Sequence, residues 1–174
     1  MNILGRVGTD AQIIEDSEPT EGWVVMLEER PSSDHIAQED GTWIVDMAGI
    51  KHRRRVLLNE DFAIAMAALH TGWPDYEIQT WTVQADEAKQ WIAAAATEKP
   101  ATPFLTSLHA QRVDMGWDEP FEDLVQRVIE NTNAYTAATA SLIAKRHVAE
   151  RAINGAEDPS QVSWDFSGSA APDS

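Results

Sequence analysis

One stretch constrains this chain more than any other. From Glu119 to Asn154, the positions Phe121, Val125, Val128, Thr132, Tyr135, Thr139, Leu142, Arg146, Ala149 and Ile153 recur at alternating spacings of four and three, the pattern of a seam along one face of a continuous helix. A single helix of roughly 35 residues reaches about 50 Å, longer than a compact domain of this size is wide. It therefore either carries a bundle or projects from one. Its middle is poor seam material, because Thr132, Thr139 and Arg146 stand where a two-stranded coil prefers branched aliphatic residues. Two readings follow: the backbone of an intramolecular bundle, or a helix for oligomerisation or docking.

The chain before this helix divides in character. Ile3, Leu4 and Val7 suit one short strand and Ile13, Ile14 part of another, with a polar turn from Asp16 to Thr20. Trp23 to Leu27 and Thr42 to Met47 are the stronger strand signals, bracketed by turn residues such as Pro31 and the Asp40-Gly41 step. They are expected to pair with each other, Trp23 against Trp43. Lys51, His52, Arg53, Arg54 and Arg55 form a basic cluster, read either as an anion or nucleic-acid patch or as a solvated edge paired with carboxylates of this chain or of a partner. Asn59 is expected to cap a short helix that ends at Gly72, and Tyr76 to Val83 to be extended. Helices are then expected from about Gln84 to Thr97 and from Pro103 to Met115, capped at Thr102 and closed at Gly116. Trp91, Ile92, Phe104, Leu105 and Leu108 offer the face on which Phe121, Val128, Tyr135 and Leu142 would pack.

The expected fold is thus α+β: a small antiparallel β module over 1–58, a helical region over 59–155 with the long helix at about 119–153, and a flexible tail over 156–174. Val162, Trp164 and Phe166 alternate within that tail, as in a peptide that docks by strand addition or folds back on its own domain. Because Arg146, Ala149 and Ile153 offer the long helix little apolar area of its own, these three with Trp164 and Phe166 are the expected partner-binding residues.

Chemistry is harder to find. There is no cysteine, which removes disulfides and thiol catalysis. The apolar runs are too short for a membrane span, and no signal peptide is expected. With 29 acidic against 13 basic residues the formal net charge is −16, which repels phosphate backbones and argues against nucleic acid as a partner. The five histidines have no metal-ligand spacing, and no cofactor or metal is expected. Ser33-Asp34-His35 has the letters of a hydrolase triad, but neighbours on an extended backbone point to opposite faces.

One resemblance stands beside this reading. Gly22-Trp23-Val24-Val25-Met26, Arg30-Pro31, His35-Ile36-Ala37 and Gly41-Thr42-Trp43 resemble a short module of bacteriophage tail proteins, many of them tail-fibre assembly proteins. Gln79-Thr80-Trp81, Ala85 to Ala96, Thr102-Pro103 and Ala134 to Ile143 are similar to the helical half of proteins from the same tail-fibre neighbourhood. The resemblance implies a non-enzymatic tail-fibre accessory protein that binds a fibre or baseplate protein, as an assembly chaperone in the host cytoplasm or as a component of the virion tail. It implies no catalytic residues. A second copy bound through the long helix is a further expected partner. The competing expectation is a small hydrolase using His35 or His109 with nearby carboxylates.

Overall fold

The computed structural model describes residues 1–168. Five short strands, β1 (Asn2–Arg6), β2 (Gln12–Glu15), β3 (Trp23–Val25), β4 (His35–Ala37) and β5 (Trp43–Val45), precede five helices. These are α1 (Met47–Ala68), α2 (Asp75–Ile78), α3 (Trp81–Ala93), α4 (Pro103–Asp114) and α5 (Phe121–Gly155), followed by a 3-10 turn at Pro159–Gln161. The fold is α+β, with the long helix realised as one element of 35 residues. Two compact units make up the chain: Met1–Asn59 with Val148–Ser163, and Glu60–His147 with the segment from Trp164. The three-part division expected from the sequence is replaced by this one, because α1 and α5 each contribute to both units. The part of the expected flexible tail at 169–174 lies outside the described residues.

In the first unit the strands pair antiparallel within two sheets, of order β2-β1-β3 and β4-β5. β1 is central, with Leu4 opposite both Ile13 and Val25, so the weakest strand signal in the sequence organises the sheet. The expected β3-β5 hairpin does not form. Trp23 sits opposite Arg6, and Trp43 opposite Ala37. What joins the two tryptophan strands is sparser: Leu27 N–H donates to Gly41 O at 2.9 Å, and the Trp43 indole N–H to Glu28 O at 2.9 Å. Gly41 is held at φ +82°, and a Cβ there would lie 2.6 Å from Val25 O, so glycine is required on both counts. A parallel bridge between Val7 and Ala37 ties the sheets at the other side. There a Cβ on Gly5 would lie 2.8 Å from the Ala37 Cβ and 2.6 Å from the Met26 sulfur. Gly5→Ala should therefore cost about 1–3 kcal/mol through overpacking, read as a lower urea midpoint. An unchanged midpoint contradicts this packing.

α1 begins thirteen residues before the expected helix. Asp46 caps it, its carboxylate accepting from Gly49 N–H at 2.8 Å and its carbonyl from Ile50 N–H at 3.0 Å. Asn59 lies in mid-helix instead of at a start. The run of Lys and Arg propagates the helix, and Ile50 and Leu58, eight positions apart, are buried on one face. The basic cluster serves the end of α5. Lys51 Nζ donates to Asn154 O at 2.7 Å, Arg55 to Asn154 Oδ1 at 2.9 Å, and Arg54 to Val162 O. Arg53 pairs with Asp34. Unpaired carbonyls at a helix C-terminus carry partial negative charge, which is what cations stabilise there. Asp34 is the carboxylate that Arg53 meets, while Lys51, Arg54 and Arg55 donate to carbonyl and amide oxygens.

In the second unit the segment expected to be extended, Tyr76 to Val83, is helical: α2 and the first turn of α3. Two core clusters hold this unit. Ala88, Leu105, Leu124 and Val125 form the first, with Trp91, Phe104, Leu108, Phe121 and Val128 against them. This is the packing expected for the N-terminal part of the long helix, except that Ile92 is 49% exposed and takes no part. Leu69, Ala138 and Leu142 form the second, with Phe62, Met66, Tyr135 and Phe166 packed on it. Leu142 thus packs with Leu69 and the α1 side chains, and Tyr135 touches both that cluster and Trp81 at the start of α3, where the sequence pointed to Trp91, Ile92 and the face of α4. The caps here come from distant residues. Glu87 accepts from Phe104 N–H and Leu105 N–H at 3.1 and 2.9 Å, opening α4, and Lys99 Nζ donates to Trp91 O and Ala94 O, closing α3.

No residue of the α5 seam is exposed. Val125, Leu142, Ala149 and Ile153 are buried and the other six are half-buried. Thr132 satisfies its hydroxyl on Val128 O at 2.6 Å, which explains how a polar residue is tolerated there.

Candidate functional site

The second unit contains an open groove of about 810 Å³, within the range of clefts that hold ligands or peptide segments. Its floor is α5, through Leu124, Val128 and Thr132, and α3, through Ala85. One end is aromatic. Trp73 meets the edge of Trp81 with centroids 5.4 Å apart, Trp81 meets Tyr135 at 5.4 Å, and His70 stacks on Tyr135 at 5.5 Å. His70 Nε2 and the Tyr135 hydroxyl lie 3.0 Å apart, at hydrogen-bond distance, which fixes both rings. The sequence places these groups in three separate segments; α2 and the first turn of α3, where the sequence predicts extended chain, bring them together.

The other lining group is cationic. Arg112 and Arg127 both border the groove, and both stack on Trp117, with guanidinium carbons 4.4 and 5.4 Å from its ring centroid. Glu119 links them. Its carboxylate accepts from Arg112 Nη1 at 3.0 Å and from Arg127 Nη2 at 2.6 and 2.8 Å. Burial opposes ionisation of Glu119, but the hydrogen bonds from Arg127 and Arg112 and their charges outweigh it, so its pKa falls below the ordinary carboxylate value. Two guanidiniums share one carboxylate, which leaves a local excess of positive charge. The Nε of each arginine, Nη2 of Arg112 and Nη1 of Arg127 make no hydrogen bond among the described residues.

The residues expected to form a partner surface lie elsewhere. Ile153 is fully buried and Ala149 nearly so. Arg146 lies over the Phe62 ring, Phe166 packs on the same ring at 5.8 Å, and the Trp164 indole donates to Asp61 at 2.9 Å. Ala149 and Ile153 are thus interior and not a docking surface, while Arg146, Trp164 and Phe166 are half-buried and engaged by Phe62 and Asp61 of α1. Of the two tail readings, the fold-back one describes Trp164 and Phe166.

The histidines of the hydrolase expectation are engaged locally. His35 Nδ1 lies 2.9 Å from Ser32 Oγ, and Asp34, the neighbouring carboxylate, is paired with Arg53. His109 Nε2 donates to Glu119 O at 2.7 Å, and its ring stands edge-on to Phe121. Among the described residues no group of three or more His, Asp or Glu is placed to hold a metal ion, and no helix is long and apolar enough to cross a membrane.

No known protein family matches this chain, and neither does a curated protein or a solved structure.

Proposed function

We propose that this protein is a non-enzymatic bacteriophage tail-fibre accessory protein that binds a segment of a fibre or baseplate protein in the groove between α3 and α5. The groove carries the reading. Its lining of Trp73, Trp81, Trp117 and Tyr135 with Arg112 and Arg127 is the residue mixture that concentrates binding energy in protein interfaces. The tail-protein resemblance of the segments around Trp23, Trp43 and Trp81 supplies the class of partner, and the net charge of −16 favours a partner with a basic periphery around the bound segment.

Thr82 is exposed and lines the groove, so Thr82→Trp should obstruct it without touching the core. Tail-fibre or baseplate protein captured from infected cells by the tagged wild type, and identified by mass spectrometry, should be lost with Thr82→Trp while the melting temperature is kept. Capture unaffected by this variant, or capture of no tail protein, contradicts the proposal. Purified virions separate its two versions: a structural component is present at fixed stoichiometry, a chaperone is absent.

The hydrolase alternative rests on the Ser32–His35 contact, which has the length of a nucleophile–base pair. It needs a carboxylate to orient the imidazole, and Asp34 is committed to Arg53. An esterase screen that responds to His35→Ala would favour it.

A further inference from the structure

The two ends of the groove specify what sort of segment it holds, an inference that rests on the groove being a binding site as proposed above. Along α5, Arg127 marks the cationic end and Tyr135 the aromatic end. Their positions are separated by about 12 Å at the rise of an α-helix. An extended peptide covers that span in three to four residues at about 3.3 Å each. A small aromatic acid, in which ring and carboxylate are separated by only a few bonds, reaches one end or the other but not both. Arg112 keeps Nε and Nη2, the two donors on one edge of its guanidinium, free of Glu119 and so presents a fork that suits a carboxylate, while Arg127 adds single donors and charge. Glu119 itself is nearly buried, so an incoming acid does not have to displace it.

We propose that the groove recognises an extended peptide of a partner protein in which an acidic side chain stands three or four residues from an aromatic one: the acid on Arg112 and Arg127, the ring among Trp73, Trp81 and Tyr135. The overall charge of −16 opposes such a ligand at long range. At physiological salt the screening length is about 8 Å, so most of those charges are screened from the site. The contacts with two guanidiniums act inside that length. Glu77 and Asp86 also line the groove and are exposed; water weakens their repulsion more than it weakens the half-buried arginines, whose apolar faces lie on Trp117.

The test uses the full chain and capped five-residue peptides with aspartate and phenylalanine at opposite ends and serine-glycine-serine between them, made in both orders. Binding is followed through the indole N–H resonances of the seven tryptophans. At least one order should shift the Trp81 signal saturably. Replacing its aspartate by asparagine should weaken binding about tenfold, the effect of losing a charge-assisted hydrogen bond, and this difference should vanish with Arg127→Gln. Because Arg127→Gln also removes a Glu119 partner, the aspartate-to-asparagine comparison on the wild-type protein stands by itself. Equal affinity for the two peptides, absence of a Trp81 shift in both orders, or equally tight binding of 3-phenylpropionate overturns the proposal. Selective peptide binding without capture of a tail protein sustains this inference while removing the tail-fibre assignment. Capture that Thr82→Trp abolishes, without acid selectivity, does the reverse.

Discussion

Replacing Glu119 by alanine should lower stability by about 3 kcal/mol, toward the low end of what breaking a buried ion pair costs. The side chain is 9% exposed and holds two arginines. Its removal leaves the neighbouring Arg112 and Arg127 without the carboxylate they share. The loss stays at the lower end because Arg127 is 41% exposed and water takes up part of the charge. The same pair predicts an acid limb. With the Glu119 pKa lowered in the folded state, its contribution is fully present above the unfolded value of 4.5 and is lost as the pH falls through the folded value. Urea unfolding measured from neutral to acid pH should therefore show a steeper loss in the wild type than in Glu119→Gln. Parallel curves for the two proteins would show that the pair contributes nothing.

The groove that this carboxylate supports was invisible in the sequence for a physical reason. Arg112, Trp117, Glu119 and Arg127 come from the end of α4, the following loop and α5, and their association depends on the turn at Gly116, held at φ +88°. That turn was legible from Met115-Gly116; the fact that it folds Arg112 back toward Arg127 was not. The alternation of Tyr76, Ile78 and Thr80 with polar residues points to an extended segment through Val83, yet so short an alternation is also compatible with single helical turns, which is what forms here. Pro74 sits just before α2 with ψ 139°, the extended geometry of a helix entrance.

Long periodic elements were legible where short ones were not. The 35-residue α5 was readable because ten seam positions repeat the same signal. β3, β4 and β5 are three residues each, too short for alternation to say which strand pairs with which, and pairing between distant strands is decided by the packing around Gly5, Met26 and Ala37. The basic cluster hid the start of α1. Residues 51–55 looked like a surface patch, whereas their helix is set by Asp46 before them and by the C-terminus of α5, which lies about a hundred positions further along the chain.

The C-terminal half of α5 gives the other large effect. Ile153 is fully buried, and Ile153→Ala should cost about 2–5 kcal/mol, the transfer of the lost carbon atoms plus the cavity left behind. A half-exposed docking residue would cost far less in the isolated protein. Amide exchange distinguishes these without mutation. Because Ala149 and Ile153 are buried and the end of α5 is held by Lys51 and Arg55, amides from Arg146 to Ile153 should be protected as strongly as those around Val128 in dilute, partner-free protein. Dilution is the informative condition, since protection supplied by a second copy decays as the concentration falls while protection supplied by α1 does not. Fast exchange from Arg146 to Ile153 that slows only at high concentration would return this end of the helix to the role of an intermolecular contact.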